Sequence, residues 1–448
     1  MRRIAGVWRI AVVAGLCLGG TAAHAQTTAG GAQIVSERPL DGNGVELTIS
    51  TPAFAAPTKV EVYLPAGYDA DPGRRWPVTY YVHGMQGDQA RFYQWYGDLI
   101  KDFPSIVVSP DGGQSGFYSD WYNGGAGGPP EYETFDIDQL IPLIDQRFRT
   151  VGTRAERAII GESMGGYGVM TYAARHPDRF AAAASLSGLE DNGQAGPIGV
   201  MTAGPLTQTA LPGSIYGPYQ TQQVRWRGHN PTDLAANLRD VDLQVRTFEG
   251  LPNPVYEGGP DSVAGCTLER GIYETNVTFH ARLQALGVPH FYKDYGAGCH
   301  GIPEFRIEFA DSLPGLESVF AHPSPAAKSF SYESIERRFS VWGWTMAADP
   351  GRALEFLGMR DAGRRGLTLV GSGTTRVTSP PYFKGLDAVG VVTPDGTHTV
   401  TPDDDGRLTF SVSLGPPHAD QQDTPAARLA GDGSAGYFAT ATVRFLRR

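Results

Sequence analysis

The sequence predicts an α/β fold on a central, mostly parallel sheet, followed by a C-terminal all-β, sandwich-like module. Three observations predict it. First, the runs Trp76–Val82, Ser105–Pro110 and Ala181–Gly188 are largely apolar along their length, as strands covered on both faces must be. Second, Ala158-Ile159-Ile160 passes through Gly161-Glu162-Ser163-Met164-Gly165 into Val169–Arg175, which reads as strand, sharp turn and helix. Third, near Pro323-Ser324-Pro325 the pattern changes to short alternating segments punctuated by turn signals. A chain of 448 residues is also longer than one ordinary domain, so two are expected.

Taken in order, the chain opens with the features of a secretory signal over residues 1–25. Arg2, Arg3 and Arg9 are its basic part, Ile10–Leu18 its short apolar core, and Ala23-His24-Ala25 a cleavage site that leaves Gln26 first. The apolar run is too short to span a bilayer, and no later segment is expected to cross one. Removing residues 1–25 takes away three arginines and no acid, so 37 basic residues become 34 against 47 acidic, and the charge falls from −10 to −13. Such a balance argues against nucleic acid or anionic lipid as partner. The expected protein is soluble and exported. Cys17 leaves with the signal, and the remaining pair, Cys266 and Cys299, is expected to form a disulfide.

Val45–Ser50 and Lys59–Leu64 alternate as half-buried strands. Trp76–Val82 is the first fully buried strand and ends in His83-Gly84-Met85. Ser105–Pro110 is the next, running into the loop 111–122. Phe135–Phe148 has helical spacing. Residues 189–225 are rich in Gly, Pro and Thr, the composition of an insertion that caps a site. Asp242–Gly250 and Pro289–Tyr295 are the last core strands, with the end of a helix at Phe279–Leu286 between them and a closing helix over Glu304–Phe320. The catalytic part is therefore expected over 26–325 and the β-rich part over 330–448. The latter should contain strands at Phe339–Trp344, Leu367–Val370, Ala388–Val392, Arg407–Val412 and Tyr437–Phe445. Its acidic run Asp403–Asp405 reads as a hairpin turn in preference to a calcium loop.

The Gly-x-Ser-x-Gly turn carries the chemistry. A serine on a strained strand-to-helix turn stands exposed above a parallel sheet, the nucleophile elbow of α/β-hydrolases. A serine hydroxyl is a poor nucleophile at neutral pH. It needs a base within hydrogen-bond reach and a carboxylate to orient that base. In this fold the order is Ser, Asp/Glu, His, with the histidine after the last strand. His300 in Gly296-Ala297-Gly298-Cys299-His300-Gly301 fits, whereas His176, His280 and His290 sit in helix ends or strand starts and His398 and His418 in the β-rich part. For the acid, Glu257, Asp261 and Glu269 follow the Asp242–Gly250 strand and Glu249 stands at its end, and periodicity does not choose among them. His83 reads as a structural turn residue, with the oxyanion donor a backbone N–H of its loop, that of Met85. Gln114, Ser115, Tyr118, Asp120 and Trp121 give the loop after Ser105–Pro110 aromatic faces beside polar groups, a composition that suits a sugar or polyol.

Gly112-Gly113-Gln114-Ser115-Gly116-Phe117-Tyr118-Ser119-Asp120-Trp121-Tyr122 resembles the corresponding loop of the antigen 85 mycolyltransferases, members of the wider esterase D-type group of α/β-hydrolases. The elbow with Ser163-Met164, His176-Pro177, Leu186-Ser187-Gly188, Asn230-Pro231 within Trp226–Leu238, and the stretch ending at His300 match in the same order. The resemblance covers about residues 40–320 and leaves out the β-rich part. It implies an acid about seven residues before an Asn-aliphatic-x-Phe stretch, here Asn276-Val277-Thr278-Phe279, hence Glu269. It implies oxyanion N–H groups at Met164 and Met85. The first loop departs from the family, whose Asp-Gly-Leu-Arg supplies charged groups to a sugar site; here it is His83-Gly84-Met85-Gln86, closer to general esterases. A Cys266–Cys299 bond would tie the acid-bearing loop to the base-bearing one.

The expected function is therefore a secreted serine esterase acting on small-molecule or lipid acyl esters, with no metal and no organic cofactor. One alternative is acyl transfer to a sugar hydroxyl such as that of trehalose. A reading of another class is an inactive cell-wall or matrix-binding protein on a hydrolase scaffold, in which the β-rich part contacts the cell envelope.

Overall fold

The computed structural model describes residues 28–255, 262–323 and 327–447. The expected signal segment lies outside the described residues. Ten strands form the first sheet: β1 (Thr28–Ala29), β2 (Ala32–Leu40), β3 (Gly44–Ser50), β4 (Thr58–Tyr63), β5 (Val78–Val82), β6 (Ile106–Pro110), β7 (Arg157–Glu162), β8 (Ala182–Leu186), β9 (Asp242–Thr247) and β10 (Phe291–Asp294). Their order is β1-β2-β3-β4-β6-β5-β7-β8-β9-β10. Pairing is antiparallel from β1 across to β6 and parallel from β6 to β10. The chain reverses its direction of travel across the sheet between β5 and β7, and crevices at such switch points, beyond the carboxyl ends of the strands, are where open α/β sheets bind ligands. Val82 and Gly161 are partners there, so the loops that follow β5 and β7 leave side by side.

Alternation along the buried strands supplies two apolar faces. Tyr81 and Ile160 point to one, covered by Phe92 and Tyr96 of α1 (Arg91–Tyr96). Tyr80, Val82 and Ile159 point to the other, with Leu143 and Ile144 of α2 (Ile141–Arg147) and Val169 and Met170 of α3 (Met164–Arg175). Two short helices, α4 (Ala195–Ala203) and α5 (Tyr219–Arg227), occupy the stretch where no periodicity is legible. The long α6 (Ser262–Leu286) adds Phe279 and Leu283 to the second face, and α7 (Ile302–Ala321) adds Phe305, Phe309 and Leu316 to the first. The expected helix Phe135–Phe148 is interrupted: Thr134–Leu140 is wound as a π-helix and α2 begins afresh after it. Pro142, with no N–H to donate, can stand in the first turn of α2 but not in a helix interior.

The C-terminal strands are β11 (Ser329–Ser334), β12 (Arg338–Val341), β13 (Trp344–Ala347), β14 (Leu357–Gly363), β15 (Gly366–Gly371), β16 (Thr374–Thr378), β17 (Val389–Thr393), β18 (Gly396–Val400), β19 (Thr409–Ser413) and β20 (Ala439–Arg447). They form a six-stranded sheet, β11-β14-β15-β20-β17-β18, and a four-stranded one, β12-β13-β16-β19. The two sheets share one core around Val341, Trp344, Leu369, Val391 and Val412. The expected single strand Phe339–Trp344 is a hairpin. Trp342 and Gly343 take left-handed backbones, with φ of 49° and 79°, and reverse the chain. Asp403 closes a turn by accepting from the N–H of Gly406 and, through its side chain, from that of Arg407.

The C-terminal sheets are tied to the end of α3. Arg175 is buried between Glu133 (2.7 Å) and Glu336 (2.9 Å), and the Tyr332 hydroxyl donates to its carbonyl at 2.6 Å. Asn237 exchanges two hydrogen bonds with the backbone of Glu333.

Beneath this seam Asp136 is buried, accepts from the Tyr172 hydroxyl at 2.9 Å, and is pushed up by burial from 3.8 to about 8. A carboxyl with a raised native pKa contributes stability that is fully present below its unfolded value and is lost as pH rises through the folded one. The window here runs from pH 3.8 to about 8. Asp136→Asn should therefore raise the melting temperature relative to wild type at pH 9 by more than at pH 5. Thermal melts at both pH values check this, and an equal offset at both contradicts it.

Candidate active site

Ser163 follows β7 with φ 57° and ψ −118°, an uncommon conformation for a side-chain-bearing residue. Strain of this kind costs about 1–3 kcal/mol and persists only where the surroundings impose it. Here they do. The Ser163 N–H donates to the Leu186 carbonyl at 3.0 Å, and its own carbonyl accepts from Tyr167 at 3.1 Å. A Cβ at Gly161 or Gly165 would collide with the Val82 carbonyl, so this close approach of α3 and β7 to β5 requires glycine at both positions.

The Ser163 hydroxyl lies 2.8 Å from Nε2 of His300, and Nδ1 of His300 lies 2.6 Å from Oε2 of Glu269. An ionised carboxylate only accepts, so Nδ1 carries the ring proton and Nε2 is left to accept from the serine. Glu269 is fully buried. Its Oε1 accepts from the Ser187 hydroxyl (2.6 Å) and the Phe248 N–H (3.1 Å); the Thr247 hydroxyl lies 3.3 Å away but is closer to the Phe248 carbonyl, at 3.2 Å.

Of the acid candidates, Glu269 is the one that meets His300, and it stands inside α6 rather than on a loop. The buried positions of that helix are Cys266, Glu269, Ile272, Thr275, Asn276, Phe279 and Leu283, a three-and-four spacing along one stripe. Three of those positions are polar, which hid the helix from a search for apolar periodicity. Glu257 and Asp261 lie outside the described residues. Cys266 and Cys299 are bonded across 33 residues, with Cα atoms 4.2 Å apart. The bridge joins the residue before His300 to the helical turn before Glu269.

Met164 is the first residue of α3 and Met85 follows His83-Gly84 after β5; both line a cleft with Ser163 and His300. Neither amide N–H has a hydrogen-bond partner among the described residues. The carbonyls of their loop are committed instead: the Arg91 guanidinium donates to those of Gly84, Met85 and Gln86, and His83 Nδ1 to that of Gly84 at 2.8 Å. His83 is fully buried and its Nε2 accepts from the Gly112 N–H, so its role is to shape the turn. Glu162 was not anticipated. It is fully buried beneath the cleft and accepts from the Gly84 N–H (2.8 Å) and the Tyr81 hydroxyl (2.9 Å), and burial pushes its carboxyl up. The available signal was a carboxylate at the end of an otherwise apolar strand.

The cleft has a volume of about 370 Å³, and its remaining walls are largely apolar: Trp95, Phe117, Leu189, Val200, Leu268, Ile272 and Phe305. Leu189 and Val200 come from the expected capping segment. The expected sugar-binding set requires correction. From that loop Phe117 lines the cleft, while Ser115, Tyr118, Asp120 and Trp121 do not. Ser115 is buried and donates to the Gly204 carbonyl; Tyr118 is buried and donates to the His83 carbonyl; Trp121 is buried and donates to the Gly116 carbonyl. Asp120 accepts from the N–H and hydroxyl of Thr134. Asp120 and Trp121 border a different cavity, of about 640 Å³, at the seam with the C-terminal sheets. Gln114 is exposed, and its amide reaches the Gly87 carbonyl at 3.4 Å. The hydroxyl of Ser115, the phenol of Tyr118 and the indole of Trp121 thus pack against neighbouring loops.

The Esterase family model, described as "Putative esterase", matches residues 51–316. Esterase Rv1288 of Mycobacterium tuberculosis is 32% identical over 304 residues, covering 66% of this chain, and the chain spans 63% of that relative's length. Diacylglycerol acyltransferase/mycolyltransferase Ag85A of Mycobacterium gordonae is 32% identical over 319 residues, covering 67% of this chain and 89% of the relative. Among solved structures, that of Mycobacterium tuberculosis MPT51 (FbpC1) covers 64% of this chain and 99% of its own, at 19% identity and a TM-score of 0.49.

The bridge next to His300 generates a prediction. Closing a loop of this length should stabilise by about 3–4 kcal/mol in the chain-entropy model. Cys299→Ser should lower the melting temperature and reduce kcat at unchanged KM on a simple ester. Labelling of the unreduced wild-type protein under denaturing conditions should find Cys266 and Cys299 unreactive, and two labelled thiols would contradict the bond.

Proposed function

The chain belongs to the Esterase family, and from that premise we propose that it is a serine carboxylic-ester hydrolase working through an acyl-serine. The observation that carries this reading is the continuous hydrogen-bonded run Ser163–His300–Glu269 at the switch point of the sheet. Ser163 Oγ attacks the ester carbonyl while His300 Nε2 takes its proton. Glu269 holds the imidazole in the required tautomer and stabilises it when charged. The N–H groups of Met164 and Met85 receive the oxyanion, a contribution of about 10²–10³ in rate per donor. His300 then protonates the leaving alkoxide, and water, activated by the same imidazole, releases the acid and restores Ser163.

The apolar walls of the cleft suit the acyl part of a small or lipid ester and offer few polar groups to a sugar. A second reading, acyl transfer to a sugar or polyol hydroxyl, draws support from the name of the Ag85A relative. The chain's first loop, His83-Gly84-Met85-Gln86, works against it, since it brings no acid–arginine pair to the site. The proposed organisation is an exported enzyme with residues 1–25 as signal, 26–325 as catalytic part and 330–448 as an accessory part that contacts the cell envelope. Export predicts an N-terminus at Gln26 on the protein recovered outside the cell, read by N-terminal sequencing; retention of residues 1–25 on that protein contradicts it. Among the described residues no helix is long and apolar enough to cross a membrane.

Mixing the enzyme with a p-nitrophenyl ester should give a burst of nitrophenolate equal to the enzyme, followed by slower turnover. Ser163→Ala should lower kcat by about 10⁴–10⁶ without loss of fold. A folded Ser163→Ala variant with wild-type turnover sinks the assignment. Trehalose added to the same assay should leave the ratio of free acid to acyl sugar unchanged, whereas diversion of acyl groups to the sugar favours the transferase reading.

A further inference from the structure

Behind Glu269 stands a second buried carboxyl group, Glu308 of α7, and one hydroxyl lies between the two. Ser187 Oγ is 2.6 Å from Oε1 of Glu269 and 3.0 Å from Oε1 of Glu308, and all three side chains are excluded from solvent. A hydroxyl has one proton to give. Glu269 takes it: the contact is shorter, and the same oxygen accepts from the Phe248 N–H. The Ser187–Glu308 contact is then a hydrogen bond only if Glu308 supplies the proton.

The surroundings of Glu308 agree with that assignment. Its Oε2 is buried without a partner, a modest cost for a neutral acid and a severe one for a carboxylate. No cation pairs with it among the described residues. Arg246 of β9 is near, but its donors go to Ser312, Tyr295, Gln244 and the Asp311 carbonyl. The other titratable groups facing Glu308 are Glu269 of α6, Glu304 on its own helix, and the hydroxyls of Tyr96 and Tyr295. None offers a positive charge. Burial, and then the negative charge of Glu269, push the Glu308 carboxyl well above its ordinary range.

We propose that Glu308 is a positioning residue, held as a neutral acid, that donates through Ser187 to Oε1 of Glu269 and so reserves Oε2 for His300. The inference rests on the reading of Ser163, His300 and Glu269 as the reacting groups. No proton changes owner in this arrangement. Glu308 O–H donates to Ser187 Oγ, and Ser187 O–H donates to Glu269, so a single negative charge is spread over three donors and directed at the imidazole. An ionised Glu308 would instead place a second negative charge beside the first in a site where no cation pairs with it.

Three variants of the full chain test this, read as kcat and KM on a p-nitrophenyl ester between pH 5 and 9, with circular dichroism and thermal melts as controls. Glu308→Gln is always neutral and can still donate. It should keep kcat within about threefold and leave the acidic limb of the kcat/KM profile within about 0.3 pH unit of wild type. Glu308→Leu removes the donor and should lower kcat about 10-fold or more at nearly constant KM. Ser187→Ala, a smaller change, should do the same and serves if the leucine variant fails to fold. A downward shift of the acidic limb by about one unit in Glu308→Gln would mean that a negative charge had been removed, and would overturn the proposal. So would wild-type kcat in folded Glu308→Leu or, where that variant does not fold, in Ser187→Ala. Loss of activity in Ser163→Ala alongside wild-type Glu308→Leu refutes the positioning role and leaves the reacting groups standing. Wild-type activity in Ser163→Ala refutes the function itself.

Discussion

The close approach of β7 and α3 to the end of β5 is the constraint from which the site follows. Only glycine fits at 161 and 165 against the Val82 carbonyl, and between them Ser163 takes a positive-φ backbone. The strained residue is held from both sides by the Leu186 carbonyl and the Tyr167 N–H. Its hydroxyl is thereby presented above the sheet, at the point where strand order reverses. The loop after β5 must leave beside it, because Val82 and Gly161 are in register. The juxtaposition of serine, oxyanion loop and first turn of α3 is thus a consequence of strand pairing.

Among the buried glutamates around this point, Glu269, Glu162 and Glu308 differ in the number of donors each meets. Glu269 meets three hydrogen-bond donors, the Ser187 hydroxyl, the Phe248 N–H and His300 Nδ1. Glu162 has two, the Gly84 N–H and the Tyr81 hydroxyl, and braces the oxyanion loop from below. Glu308 has only the shared contact with Ser187. Low dielectric makes each missing donor expensive for a charged oxygen, so the same residue type serves as anion, as strut and as neutral acid within one neighbourhood. The histidine is fixed from the other direction by the Cys266–Cys299 bridge.

The other end of α3 carries the connection to the C-terminal sheets. Arg175 pairs in a buried site with Glu133, and the Tyr332 hydroxyl closes on its carbonyl. With Glu336 also reaching Arg175, α3 runs from Ser163 at its start to contacts with the C-terminal strands at its end. That region lies beyond the residues matched by the family model, which ends at 316.

Much of this was legible in the sequence. The apolar runs marked β5, β6, β7 and β8, since a strand buried on both faces shows its burial directly in its composition. The Gly-x-Ser-x-Gly turn located Ser163, and the position after the last strand located His300, because both depend on local chain geometry. Other features depend on which distant groups share a cavity, and local pattern does not record that. The helix bearing Glu269 was visible only at its Phe279–Leu286 end, its buried stripe being broken by polar residues whose partners lie in the loops after β8 and β9 and in the His300 loop. The polar and aromatic loop 112–122 looked like a ligand wall, yet its hydroxyl, phenol and indole donors are spent on neighbouring backbone. Sequence alone marked the buried strands and singled out Ser163 and His300 as candidate reacting groups. The tertiary structure alone decided which carboxyl groups meet donors and which aromatic residues meet solvent, because burial and hydrogen-bond satisfaction are set by contacts across the chain.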